Sequence, residues 1–327
     1  MSKNILIIGG GGYVGTMLVP LLLKNKHNVT VLDLFLYGNH IKENKNLNII
    51  KGDIRNFDLI KTIFNEKYDE LIHLACISND PSFELNPSLG KSINYDCFEP
   101  LVKLSQDRGV SKFIFASSSS VYGIKDEENV SEDMELKPLT DYSKYKAMCE
   151  DVLIKNSNKY FNTCILRPAT VCGFSHRQRL DVVVNIFANF AYFKNKINIF
   201  GGSQLRPNIN IKDMIDAYLR VVNEPGELIN GEIFNVGFHN HTLDQLAEIT
   251  KKIISSKVNI KKVESNDNRS YHISSKKIFE KLNFKPQYDI EDAVESLKYA
   301  FEKKVLTNTF ENDDYFNIKK MQNISLI

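Results

Sequence analysis

Between the apolar run ILII at 5–8 and a stretch of helical spacing that begins near Tyr13 lies GGGGYVG, residues 9–15, and no other segment restricts the fold of this chain so tightly. Gly9, Gly12 and Gly15 keep a G-x-x-G-x-x-G spacing. Glycine there permits a sharp turn and lets a diphosphate approach backbone N–H groups at the positive end of the following helix. A glycine cluster alone signals only a turn. The strand before it and the helix after it make it a dinucleotide loop, with Tyr13 and Val14 inside it.

A second apolar run, VTVLDL at 29–34, carries Asp33 eighteen residues after Gly15. An acid at that strand tip accepts hydrogen bonds from ribose hydroxyls and repels a 2′-phosphate. Leu34, Phe35 and Leu36 follow without a cation, so NAD is favoured over NADP. Gly52-Asp53-Ile54 ends a third short strand, where Asp53, with Ile54 beside it, could reach the adenine amino group.

Further strand candidates are NII at 48–50, LIHLA at 71–75, KFIFAS at 112–117 and TCILR at 163–167. Helical spacing at 13–24, 58–66, 92–108 and 142–156 alternates with them. This alternation predicts an α/β fold, a doubly wound parallel sheet of Rossmann type with right-handed crossovers. At 327 residues the chain exceeds what one core usually holds, roughly 250 to 300 residues, so a smaller C-terminal substrate-binding lobe is expected. We expect the nucleotide domain at 1–168, with 208–238 returning to it, and the second lobe at 169–207 and 239–327.

The charge balance argues against two partner classes. Forty-two basic and forty acidic residues leave a net charge of +2, too little to point to nucleic acid or an anionic membrane. No stretch approaches the ~20 apolar residues of a membrane span. The five cysteines are scattered, with no Cys-x-x-Cys pair and no histidine at ligand spacing, so free thiols, no metal and a cytoplasmic location are expected.

The chemistry concentrates in FIFASSSSVYG at 113–123 and DYSKYKAMCE at 141–150. Tyr142 and Lys146 are four apart, so a helix stacks them on one face. A phenol titrates near ~10 in model peptides, and an adjacent ammonium with an oxidised nicotinamide would favour the phenolate. Such a group is a proton acceptor aimed at a hydroxyl. The plain alternative is a solvated helix face.

With these motifs in order the chain resembles the extended short-chain dehydrogenase/reductase family, particularly its NAD-dependent nucleotide-sugar epimerase and dehydratase group. The resemblance runs through GGGGYVG, Asp33, GDIRN at 52–56, HLA at 73–75, SSSSVYG at 117–123, YSKYK at 142–146, LRPATVCG at 166–173 and NVG at 235–237. It implies that Leu74 and Ala75 adjoin the cofactor, that Ser118 binds the reacting oxygen, that Tyr142 is the base and that Lys146 anchors the cofactor ribose. Dehydratases of the family carry an Asp-Glu pair just before the Val-Tyr-Gly triplet, where this chain has Ser119 and Ser120. Water elimination is therefore disfavoured.

On the substrate side, Arg206 in GGSQLRPNINIKD and Arg269 in SNDNRSYHIS resemble family positions that hold a diphosphate, for which the planar arginine fork is suited. Asn185 resembles an asparagine that touches the diphosphate at a helix start. Asn79, or Ser78 beside it, and Ser119 are expected to face the sugar. Several 4-epimerases carry an asparagine after the sixth strand, where this chain reads Arg167-Pro168-Ala169-Thr170. His176, Arg177 and Arg179 receive no role.

The resemblance implies oxidation of the 4-hydroxyl of a GDP- or UDP-linked hexose or heptose, as a 4-dehydrogenase, including enzymes of GDP-heptose, or as the first half of 4-epimerisation. A 4-keto reductase and a non-catalytic NAD-binding sensor on the same fold are the alternatives. A homodimer or higher homo-oligomer is the family-based expectation.

Overall fold

Residues 2–125, 127–264 and 272–324 are described by a computed structural model of the chain. Strands β1 (Asn4–Ile8), β2 (Asn28–Asp33), β3 (Leu47–Lys51), β4 (Glu70–His73), β5 (Lys112–Ala116) and β6 (Asn162–Pro168) are separated by helices except between β2 and β3. They are followed by β7 (Thr170–Cys172), β8 (Lys196–Phe200), β9 (Leu205–Asn210), β10 (Glu232–Val236), β11 (His239–Thr242) and β12 (Asn259–Val263). Seven of these form one parallel sheet in the order β10-β6-β5-β4-β1-β2-β3, the doubly wound Rossmann arrangement expected from the sequence.

The strand runs are continuously apolar because helices cover both faces of the sheet. Ile5, Ile7, Val29 and Val31 pack with Leu18, Val19 and Leu22 of the helix Gly15–Lys24, and with Met214 and Tyr218 of the helix Ile211–Asn223. Leu6, Ile8, Leu71, Phe113 and Phe115 point the other way, onto Phe98 and Leu101 of the helix Phe98–Asp107 and Cys149 and Leu153 of the helix Asp141–Asn156. Strand order reverses at β1, which lies between β2 and β4, so the connections leave its carboxyl end to opposite sides and open a crevice.

Of the segment 208–238, residues 208–210 lie in β9, in a small sheet where β9 pairs parallel with β7 and antiparallel with β11. The helix Ile211–Asn223 packs on the large sheet, and β10 is an edge strand of it. Lys112 on β5 secures that helix, its ammonium donating to the carbonyls of Val221, Val222 and Glu224 at 2.9 Å each and pairing with Glu70 at 3.0 Å. A cation on the last carbonyls of a helix also complements its dipole.

The second lobe is built by helices Val183–Lys194, Leu243–Ile254 and Ile290–Glu302, which bury Val184, Ala188, Leu246, Val294 and Leu297 together. Its C-terminal segment folds back toward the crevice. The Leu180 N–H donates to the Tyr315 carbonyl at 2.9 Å, and the Asn317 N–H to Asp181 at 2.8 Å.

Under the end of β5 lies a buried ion pair. Arg167 on β6 meets Glu150 of the helix Asp141–Asn156 at 2.6 Å, with both side chains at most 3% exposed. Removing one partner of such a pair strands a buried charge. Arg167→Met is expected to cost about 3–5 kcal/mol in urea unfolding, and the double variant with Glu150→Met to recover part of that loss. A loss below ~1 kcal/mol would show that the pair holds little together.

Candidate active site

The serine turn is positioned from beneath. β5 ends at Ala116, and the chain passes through Ser117 and Ser118 into a tight 3-10 turn at Ser119–Tyr122. Gly123 closes it with φ +70°, and a Cβ there would lie 2.0 Å from the Lys137 carbonyl oxygen, so no side chain fits. Below the turn the Tyr122 hydroxyl donates to Asn235 at 2.7 Å and accepts from Arg167 at 2.8 Å, while the Ser117 hydroxyl donates to Glu150. The VYG, LRP and NVG motifs thus form one buried scaffold.

On that scaffold Ser118 is extended, its hydroxyl accepting from the Ser120 N–H at 3.1 Å and the Ser120 hydroxyl at 2.9 Å. Its hydroxyl lies near enough to Tyr142 to influence the phenol. Tyr142 lies in the first turn of the helix Asp141–Asn156, which Thr140 opens through a capping box with Ser143. One turn on, the buried Lys146 ammonium donates to the Ala116 carbonyl at 2.6 Å, 5.9 Å from the centre of the Tyr142 ring. The lysine is therefore tethered to the strand end beside the phenol.

Burial drives the Tyr142 phenol well above its ordinary range, and the nearby Cys76 and Asp80 add to the rise. The Arg179 charge and the nearby Ser118 hydroxyl pull against it. In this environment Tyr142 keeps its proton near neutrality. His73, in the HLA run, is pushed down to about 3 by burial and then by Lys146, so it stays neutral against the Phe115 ring.

The glycine loop lies at the carboxyl end of β1. Gly9 has φ +89°, and a Cβ there would sit 2.3 Å from the Ala75 backbone nitrogen. Asp33 accepts the N–H of Gly11 at 2.9 Å and of Phe35 at 2.7 Å. A cavity of about 510 Å³ joins this loop to the serine turn. Gly9, Gly12, Tyr13, Val14, Gly15, Asp33, Ile54, Leu74 and Ala75 line one part of it, and Asn79, Ser118, Ser119, Tyr142, Lys146 and Arg206 another. Bare backbone at the helix start and an acid at the tip of β2 fit NAD, which would lie along the loop with its ribose toward Asp33.

Two expected contacts, Asp53 and Asn185, stand outside the cavity lining. Asp53 is outside the cavity lining, its carboxylate held by Arg55 at 2.6 Å; burial would raise its pKa, but the Arg55 bonds outweigh that and lower it. Asn185 is fully buried at the third position of the helix Val183–Lys194. It accepts the Gly173 N–H at 2.9 Å and donates to the Tyr13 hydroxyl at 3.0 Å and the Arg179 carbonyl at 2.8 Å. Its bonds position the loop, and it does not line the cavity. Arg269 lies outside the described residues. Asn79 lines the cavity, yet its side-chain oxygen accepts the Ser82 N–H at 2.9 Å as a helix cap, on a strained backbone at φ +74°, ψ 154°.

Residues without a sequence-based role also reach the cavity: Thr170 after β6, Arg177 and Arg179 of the following loop, and Asn317 and Met321 from the C-terminal segment. The only local hint was the pair of arginines two apart, followed by Asp181, ahead of an apolar helix.

The model of the NAD dependent epimerase/dehydratase family matches residues 5–237. A UDP-glucose 4-epimerase of Mycolicibacterium smegmatis is 31% identical over 242 residues, 71% of this chain and 76% of the relative. One from Lactobacillus helveticus is 27% identical over 268 residues, covering 76% and 81%. The crystal structure of the Thermotoga maritima UDP-glucose 4-epimerase with UDP-glucose superposes with a TM-score of 0.84 at 25% identity, covering 93% of this chain and all of that one.

Asp33 makes a direct prediction. A hydrogen bond to a charged group contributes ~1.5–3 kcal/mol, so Asp33→Ala should weaken NAD binding about tenfold or more. The NAD over NADP preference should narrow as the repulsion disappears. Titrating both nucleotides calorimetrically checks this; an unchanged preference would remove Asp33 from cofactor choice.

Proposed function

The chain belongs to the NAD dependent epimerase/dehydratase family, and from that premise we propose that it oxidises the 4-hydroxyl of a nucleotide-diphosphate hexose or heptose, releasing the ketone or returning the hydride to its other face. One observation carries the reading. Ser118, Tyr142 and Lys146 converge in the cavity of the glycine loop, and positions 119 and 120 present hydroxyls where elimination would need a carboxyl pair.

Bound NAD would supply the hydride acceptor and, oxidised, a positive charge beside the phenol. Ser118 holds the sugar oxygen through its hydroxyl. Tyr142 takes the proton from that oxygen, and Lys146, fixed on the Ala116 carbonyl, keeps a cation beside the phenol during the transfer. Arg206, at the cavity wall, is suited to the substrate diphosphate. UDP-glucose in the Thermotoga maritima relative supports a nucleotide-sugar substrate, with GDP or UDP as the carrier.

Running the site in reverse, as a 4-keto reductase, has one observation in its favour. Burial holds Tyr142 protonated, and reduction consumes that proton. In either direction the protein would act in the cytoplasm, where its free thiols stay reduced. The same reading includes a homodimer through the helices Phe98–Asp107 and Asp141–Asn156, the latter exposing Met148 and Ile154.

The test uses nucleotide sugars deuterated at carbon 4. Label retained with inverted configuration marks a 4-epimerase, and label appearing on the nicotinamide marks a 4-dehydrogenase. Tyr142→Phe should lower turnover by ~10²-fold or more, the usual scale of general acid–base catalysis. Oxidation should slow as pH falls, because the base must lose its proton. Full turnover by Tyr142→Phe would overturn the mechanism.

A further inference from the structure

Two cations stand in the cavity without a part in the proton transfer. Arg177 and Arg179 belong to the loop after β7, and that loop is moored to the glycine turn. The Ser175 hydroxyl donates to the Tyr13 carbonyl at 2.6 Å, the Arg177 N–H to the Thr16 hydroxyl at 3.2 Å, and the Tyr13 hydroxyl to the Gly173 carbonyl at 2.6 Å. The second lobe thereby carries both guanidinium groups to the start of the first helix.

Their hydrogen bonding is incomplete. Arg177 is 2% exposed, holds its guanidinium carbon 3.6 Å from the centre of the Tyr37 ring and donates a terminal N–H to Asn317 at 2.6 Å. Its Nε is buried and meets no partner among the described residues. Arg179 donates to Asp181 at 2.8 Å and to Ser78 at 3.4 Å, and one of its terminal nitrogens is likewise buried and unmet. A buried donor without a partner is costly, and more so when charged.

The charges are also unbalanced. Asp181 answers Arg179, and Asp33 already accepts two backbone N–H groups at the ribose end. Burial lowers Arg177 to about 10, as expected for a cation whose neighbours do not offset its desolvation. The carboxylates whose charge reaches Arg177, Asp33 and Asp181, do not make up for its burial, and the helix N-terminus at the glycine turn also favours an anion. A diphosphate matches that deficit in charge and in the geometry of two planar forks.

We propose that Arg177 and Arg179 close over the diphosphate of the bound dinucleotide from the side opposite the glycine turn, so that the second lobe supplies half of the cofactor's phosphate site. Asn317 serves as a positioning residue. It accepts from Arg177 and donates to the Ser78 hydroxyl at 2.8 Å, which links the C-terminal segment to the grip. A cofactor held by both lobes stays bound through turnover, whichever sugar the enzyme uses.

Calorimetry on nucleotide-free protein tests this with NAD, ADP-ribose, adenosine, UDP and GDP as separate probes. Arg177→Gln and Arg179→Gln should each weaken NAD and ADP-ribose tenfold or more, while changing adenosine, UDP and GDP less than twofold. NAD should also be lost from the variants on gel filtration. Wild-type affinity for ADP-ribose would overturn the proposal. So would a loss centred on UDP or GDP, which would assign the pair to the substrate, or an equal loss of adenosine, which would make its role structural. Should Arg177→Gln fail to fold, Arg177→Lys keeps the charge without the fork; weakened ADP-ribose binding then supports the proposal, and unchanged binding overturns it.

Discussion

The buried pair between Glu150 and Arg167 holds the catalytic part of this molecule in register. Tyr142, Lys146 and Glu150 follow at intervals of four, so one helix face carries the phenol, the ammonium and the carboxylate. The carboxylate reaches β6 through Arg167 and the serine turn through Ser117, while Arg167 also reaches Tyr122. Burying such charges is expensive, and only a fully satisfied network offsets the cost. Here that network sets where Ser118 stands relative to Tyr142.

The cavity above it is a product of two lobes. The parallel sheet contributes the glycine loop, Asp33 and the serine turn at the carboxyl ends of its strands, where the reversal of strand order leaves room. The second lobe contributes Arg177, Arg179 and Arg206, and the C-terminal segment adds Asn317 and Met321. Enclosure makes the electrostatics strong in both senses. It keeps the proton on Tyr142 and leaves Arg177 without enough negative charge nearby to offset its burial.

Legibility in the sequence followed the range of the interactions. The glycine loop, Asp33 and the Tyr142–Lys146 pair were readable because a strand, a turn and a helical period determine where such residues point, and those are local properties. Asp53 was misread despite a local cause, since Arg55 two residues on takes its carboxylate. Asn185 was placed near the right loop but given the wrong partner, because its bonds go to Tyr13, 172 residues away, and to the loop that Tyr13 holds.

By itself, then, the sequence determined the doubly wound sheet and the cofactor, and it put Tyr142 and Lys146 on one helix face, all through short-range periodicity and turn chemistry. Tertiary structure alone decided which polar groups are spent on scaffold and which are left for a ligand. Hydrogen-bonding capacity is allotted among groups that burial brings together, and Arg177 meets Thr16 and Asn317 across 161 and 140 residues. No local pattern records that allotment, because the cost of an unmet donor arises only after water has been excluded.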